Sequence, residues 1–441
     1  MKPFAIGLDR GTTTIKGVLV APSGRILASA SRPSPLRETP ETGQSEIPLG
    51  PLRGAAESVL TEILRSAPGG PLRLGIASQR SSFVLWDART GKPLAPGISW
   101  RDRRAIQPWP VGENDVIRRT GLRLSPHYSA GKIARLLPDR PFRVAPLPAW
   151  LAFEWSGRKS LSCDPTLAAR MLLWNLSTGN WDPGLLRAFG VPRMALPTLR
   201  PSRARYGRLG KRLELRAMIG DQQAAAVALG VSEGSGLVNL GTGAFLLVPT
   251  GRRIRRAKGL LSTVLWSDRS GARYALEGTV NSAGALFDWM RRHGMGDPGR
   301  IPLPSPTVAL KLPACLPALA GTGAPRWDPG DRLRFAPDRP SAASALLGVA
   351  YRLREIWDAL PRDLKPRRLI ASGGLSQSGP LLQALADLTR VPVLRSEVRE
   401  ATALGAALLA LGRPGNPPEG KRFRPGPSRE EGYRRWRRLL R

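Results

Sequence analysis

The sequence predicts an α/β fold in two domains, and two observations point there. Apolar runs of strand length alternate with segments of helical period along the whole chain. A turn of Gly and Thr between two such runs also occurs once in each half. At 441 residues the chain is long enough for two or three domains, each with its own core.

The opening PFAIGLDRGTTTIKGVLVAPSGRILASASR reads as strand, turn, strand, turn, strand. Residues 4–8 are an apolar run ended by Gly11, residues 15–20 are a second, and Pro22-Ser23-Gly24 turns the chain into 25–30. The Pro/Glu/Thr-containing stretch 33–48 reads as a loop. Apolar residues recur at helical spacing over 52–64, strands follow at 72–77 and 83–86, and short helices at 115–122 and 130–137. A second half opens near Gly220, with strands at 236–239 and 244–249 around Gly241-Thr242-Gly243. Later, the strand 369–371 leads through Gly373-Gly374 to a helix at 380–388.

Composition narrows the chemistry. Two cysteines, Cys163 and Cys315, exclude a disulfide framework and a cysteine-rich zinc site. Two histidines, His127 and His293, exclude most histidine-based metal chemistry. No apolar run reaches the ~18 residues of a membrane span, and MKPFAIGLDRGTTT lacks the apolar core of a signal peptide. A soluble cytoplasmic protein is the expectation. The net charge of +35 comes from 58 Arg and ten Lys against 33 acidic residues, spread over both halves. Such a surface attracts polyanions; Arg enrichment beside abundant Ala, Gly, Pro and Leu also reads as a general compositional bias, and specific nucleic-acid binding is not expected.

Five clusters could carry chemistry. In Asp9-Arg10-Gly11-Thr12-Thr13-Thr14 with Lys16, Gly permits a tight turn whose N–H and hydroxyl groups face an anion, and an Asp at a strand end can hold Mg²⁺ through water; the alternative is an ordinary hairpin. Gly241-Thr242-Gly243 repeats that logic. Asp221, in Gly220-Asp221-Gln222-Gln223, is either a helix N-cap or a carboxylate that takes a proton from an attacking hydroxyl. Gly373-Gly374 lets a flat group lie on the backbone, and Arg80 can bind hydroxyls of a small polar ligand.

Together these pieces resemble the FGGY family of carbohydrate kinases, and most nearly its glycerol kinase branch. The resemblance rests on GLDRGTTTIK (7–16), IASQRSSFVLWDARTGKPL (76–94), ISWRDRR (98–104), CDPTLAARMLLWN (163–175), GDQQAA (220–225), GTGAFLLVPTG (241–251), ALEGTVNSAGALFDW (275–289), GTGAPRWDP (321–329), ASGGLSQSGPLLQALADL (371–388) and EATALGAA (400–407). It implies the two-domain actin-like, RNase H-like ATPase fold with an interdomain cleft. Residues 1–228 would be the polyol or sugar side and 229–441 the nucleotide side. It implies an ATP- and Mg²⁺-dependent kinase for a small polyol or sugar, glycerol first, with another polyol or a ketose such as xylulose, or a non-catalytic nucleotide-binding homologue, as alternatives. Family members form dimers and tetramers, so a homo-oligomer is allowed.

Carried over by motif, Asp221 is the general base and Asp9 the Mg²⁺-side carboxylate. Thr12, Thr13, Thr14, Lys16, Gly241 and Thr242 would meet phosphates, and Gly284, Asp288, Gly374 and Ser378 would line the nucleotide. Arg80, Ser81, His127, Asp221 and Gln222 would meet the polyol. Ser81 stands where glycerol kinases carry Glu, and His127 where they carry a Tyr that touches glycerol. Of the remaining candidates, His293 reads as a helix C-cap, and Tyr433, Trp436 and Leu440 as the docking face of the last helix.

Overall fold

The computed structural model describes residues 3–416 and 419–440. The chain forms two compact units. The first runs up to Gly230 and also takes Thr263–Tyr274 and Arg399–Asn416; the second takes Val231–Ser262, Ala275–Val398 and the stretch after Asn416. The first unit is thus discontinuous in sequence.

The first unit is built on a sheet. Strands β1 (Ala5–Arg10), β2 (Thr14–Val20) and β3 (Ile26–Pro33) form an antiparallel meander, followed by helix α1 (Leu49–Arg65) and strands β4 (Leu72–Ser78), β5 (Arg203–Leu209) and β6 (Leu213–Gly220). The order is β5-β6-β4-β1-β2-β3, with β1, β4 and β6 parallel. Central β1 and β4 are nearly continuous buried runs, as strands covered on both faces must be. Helix α1 buries Leu52, Ala56, Val59, Leu60 and Ile63, one stripe of a 3.6-residue period. Helix α2 (Asp221–Ala228) follows β6 without an intervening loop.

The expected loop at 33–48 is instead partly a strand pair. Arg37–Thr39 and Gln44–Ile47 join Gly97–Ile98, Phe83–Asp87 and Phe142–Pro146 in a five-stranded sheet. The Pro and Thr residues hid this because edge strands of three or four residues carry too little periodicity to register.

The second unit repeats the start of the first. Strands β7 (Ser235–Leu240) and β8 (Ala244–Gly251) are antiparallel around a Gly-Thr-Gly turn, and β7 pairs in parallel with β9 (Arg368–Ser372). Beyond these lie α3 (Gly284–Arg292), α4 (Ala342–Ala359), α5 (Gly379–Thr389) and β10 (Val393–Arg395). After β10 the chain returns to the first unit as α6 (Ala401–Leu411), then re-enters the second as β11 (Arg422–Phe423) and α7 (Glu430–Leu439). The strands of the second sheet run β8-β7-β9-β10-β11, extended past β8 by the base of the hairpin 261–280.

Helix α6 reads ATALGAALLAL and is buried along almost its whole length. It lies so close to the first sheet that a Cβ on Gly7 would sit 1.8 Å from the Ala403 carbonyl oxygen, and one on Gly75 2.0 Å from that of Ala406. Only Gly allows backbone to approach backbone in this way. In the second unit, Tyr433, Trp436 and Leu440 are all buried, and Trp436 Nε1 donates to the Cys315 carbonyl at 2.7 Å. Among the described residues no helix is long and apolar enough to cross a membrane.

Candidate active site

In the first unit the ends of β1, β4 and β6 bring together Asp9, Arg80 and Asp221. Asp221 is the first residue of α2, and the N-cap is Gly220, so the N-cap reading of Asp221 is corrected: its side chain does not close the helix. Its Oδ1 accepts from the Gln222 backbone N–H at 2.8 Å and lies 3.7 Å from Arg80 Nε. Gln222 is buried, and its Oε1 has no hydrogen-bond partner. Asp9 Oδ1 is likewise buried and unpartnered. Burial first, then the Asp221 carboxylate, push the Asp9 carboxyl up to about 8, against the opposing pull of Lys16 and with a further push from Glu400. Lys16 Nζ pairs with Glu400 Oε2 at 3.0 Å.

The turn after β1 is held from several sides. Gly11 N donates to Thr14 O, and Ser34 N donates to Thr13 O. Thr12 Oγ1 donates to Gln79 Oε1 at 2.7 Å and accepts from Trp100 Nε1 at 3.1 Å. Gln79 Nε2 donates to Ser82 Oγ at 2.7 Å, and Trp100 N donates to the same oxygen at 3.0 Å. Thr12, Gln79, Ser82 and Trp100 therefore close a ring of hydrogen bonds, and the one proton of the Thr12 hydroxyl is committed within the protein. Thr13 is exposed and Thr14 half-buried.

Ser81 is buried with φ of 65°, and its carbonyl accepts from Ser129 Oγ. His127 is exposed, with its ring 5.8 Å from that of Trp100. Beneath both lies Lys132, fully buried, whose Nζ donates to the carbonyls of Ser99, His127 and Trp100 at 3.0, 3.2 and 3.5 Å. Gln79, Trp100, Lys132 and Glu400 escaped the list of candidate residues. Gln79, Trp100 and Glu400 stand inside motifs noted in the sequence and Lys132 in the helix predicted at 130–137, but neither a buried lysine nor a ring of hydrogen bonds leaves a periodic signal.

In the second unit the candidate residues surround the turn between β7 and β8. Gly241 N bonds Gly243 O, and the Gly284 and Ala285 N–H groups at the start of α3 donate to the Gly241 and Thr242 carbonyls. A Cβ on Gly284 would lie 2.5 Å from the Gly241 carbonyl oxygen, so the helix N-terminus meets the turn only because residue 284 has no side chain. Thr242 is exposed. Gly373 takes φ of 89° with its Cα against β7, and Gly374 has open space above it, as a platform for a flat ring requires. Ser378 is buried and its Oγ caps α5 by accepting from Leu381 N, and Asp288 is exposed and ion-paired to Arg291. His293 caps α3, as expected.

Residues 4–235 match the N-terminal domain, and residues 236–412 the C-terminal domain, of the FGGY family of carbohydrate kinases. The chain belongs to this family. As a member it is a phosphotransferase with an alcohol group as acceptor and ATP as phosphoryl donor. This kinase is 37% identical to a glycerol kinase of Thermus brockianus over 99% of its own length and 98% of the relative's. It is 34% identical to a glycerol kinase of Acinetobacter baylyi, over 92% and 89% of the two chains. In fold it is similar to a Plasmodium falciparum glycerol kinase solved with ADP, at a TM-score of 0.86 and 23% identity over 100% of this chain and 98% of the other. A xylulose-type kinase of Brucella ovis reaches 0.87 at 21% identity, covering 99% and 98%. These neighbours carry the two-domain actin-like ATPase fold that the resemblance implied.

Proposed function

We propose that this kinase phosphorylates glycerol to glycerol 3-phosphate, with Asp221 as general base. The observation that carries the reading is the group formed at the ends of β1, β4 and β6: a carboxylate 3.7 Å from Arg80 Nε, coupled to Asp9, beside the buried and unpartnered Gln222 Oε1. Gln222 Oε1 is an acceptor for a substrate hydroxyl, and a buried acceptor left without a donor is costly until one arrives. Arg80 adds donors for a second hydroxyl and holds Asp221 in place. Asp221 accepts the proton of the attacking hydroxyl, which raises the nucleophilicity of that oxygen.

The buried, unpartnered Asp9 Oδ1 fits a divalent cation, which would offset both the burial and the Asp221 repulsion that raise the Asp9 carboxyl. Among the described residues no three carboxylate, thiolate or imidazole groups gather as a metal cage, so Mg²⁺ would be held by Asp9 through water and by the nucleotide itself. It would supply charge neutralisation on the phosphates. On the nucleotide side, Gly241, Thr242 and the start of α3 offer a turn beside a helix N-terminus, a combination suited to phosphate, and Gly373-Gly374 offers the platform for the base. A cytoplasmic location is part of the same reading, supported by ATP use and two buried free thiols.

Ser81 favours a second reading within the same chemistry. With no carboxylate at this position, the acceptor could instead be another polyol or a ketose. ADP release over a panel of glycerol, longer polyols and ketoses, for wild type and Asp221→Asn, tests both. Glycerol is expected to give the highest kcat/KM, with Asp221→Asn still binding nucleotide and losing turnover. A panel in which no acceptor raises ADP release above the ATPase background would overturn the reading.

A further inference from the structure

Asp221 leaves the sheet through Gly220, and Gly220 is held by a side chain with no role so far. Gly220 N donates to Thr166 Oγ1 at 2.7 Å. Because that oxygen accepts from Gly220, the hydroxyl proton of Thr166 goes to Asp164, whose Oδ1 and Oδ2 lie 3.0 and 2.8 Å away. Asp164 is fully buried and also accepts from Thr166 N, Leu167 N and Ser202 Oγ, the last at 2.7 Å. Each of these partners donates, so the network needs the ionised carboxylate, although burial pushes Asp164 up to about 6. Ser202 closes the circuit, because its carbonyl accepts from Met218 N in β6, the same strand that ends in Gly220.

The pairing of β6 with β4 already fixes the strand, with Gly220 opposite Ser78. The Thr166 bond adds a constraint on one further group, the N–H just before Asp221. Resting on the reading of Asp221 as general base, we propose that Asp164 and Thr166 are positioning residues for phosphoryl transfer, fixing the peptide from which Asp221 reaches the acceptor hydroxyl. Thr166→Val keeps the shape and removes the acceptor, so the N–H of Gly220 must find another partner by moving. A shift of about 1 Å in a catalytic group can cost on the order of 10²-fold in rate.

The test measures kcat, both KM values and nucleotide affinity for Thr166→Val, Thr166→Ser, Asp164→Asn and Asp221→Asn, with the acceptor that turns over best. Expected is a fall in kcat of about 10- to 100-fold in Thr166→Val, with nucleotide affinity unchanged and Thr166→Ser near wild type. Asp164→Asn is expected to lose kcat in the same sense, and it decides the matter if Thr166→Val does not fold. Wild-type kcat in Thr166→Val, or in Asp164→Asn where Thr166→Val does not fold, would overturn the proposal. So would a parallel loss of kcat, nucleotide affinity and melting temperature that Thr166→Ser does not rescue. If Asp221→Asn itself turns over normally, the base assignment falls, and the positioning claim with it. If Asp221→Asn is dead while Thr166→Val is fully active, only the positioning claim falls.

Discussion

Lys16 Nζ stands 3.0 Å from Glu400 Oε2, so the strand after the first Gly-Thr turn is tied to the head of helix α6. Both side chains are about one-third exposed, and the pair is worth no more than ~1 kcal/mol to stability. Its effect is on Asp9, because Lys16 is the strongest influence drawing the Asp9 carboxyl back toward ionisation. Lys16→Met is therefore expected to leave the melting temperature within a few degrees of wild type while raising the KM for Mg·ATP, measured by coupled assay across a magnesium series.

Gly284→Ala is expected to separate nucleotide binding from acceptor binding. The added methyl would meet the Gly241 carbonyl at 2.5 Å, and the turn must move away from α3. Overpacking of this kind costs about 1–3 kcal/mol. Isothermal titration should show weakened ADP binding, whereas acceptor binding, proposed above for first-unit residues, should hold.

Ser81→Glu tests acceptor specificity. A charge-assisted hydrogen bond is worth about 1.5–3 kcal/mol, or roughly ten- to a hundredfold in affinity. The left-handed backbone at this position offsets part of that gain. The KM for glycerol is expected to fall by about tenfold or less, with little change in the KM for ATP. An unchanged glycerol KM would mean that residue 81 does not face the acceptor.

Lys132 gives a pH signature. Burial lowers its ammonium to about 7 in the folded protein, against 10.5 when exposed. Between those values the unfolded chain binds the extra proton and the folded chain does not, so stability rises with pH from about 7 toward 10.5 and is flat below 7 on this account. Lys132→Met should lose that slope in denaturant titrations. It should also lose roughly 1 kcal/mol per hydrogen bond at neutral pH, since the carbonyls of Ser99, His127 and Trp100 each lose this donor.

The elements easiest to read in the sequence were those with long periodic patterns or small-residue turns. The meander β1 to β3, helix α1 and the repeated Gly-Thr turn all stand where the apolar runs place them. The strand pair at 37–47 did not show, because three- and four-residue edge strands carry no decisive period. Roles set by burial were also hidden. That the Thr12 proton goes to Gln79 and that Ser378 Oγ caps α5 are contacts no sequence period reveals. Asp221 stands out because of its motif, whereas the bond from Thr166 to Gly220, the residue before it, joins positions 54 apart and leaves no signal in sequence.

Helix α6 is made from residues 401–411 but covers the sheet formed by residues 5–78 and 203–220. During synthesis the early strands emerge long before the segment that shields their Gly-lined face. Until residues 401–411 have left the ribosome, that face stays open to misassembly or to chaperones. A fragment ending at Gly230 should therefore aggregate, and adding residues 399–416 in trans as a peptide should raise its soluble yield.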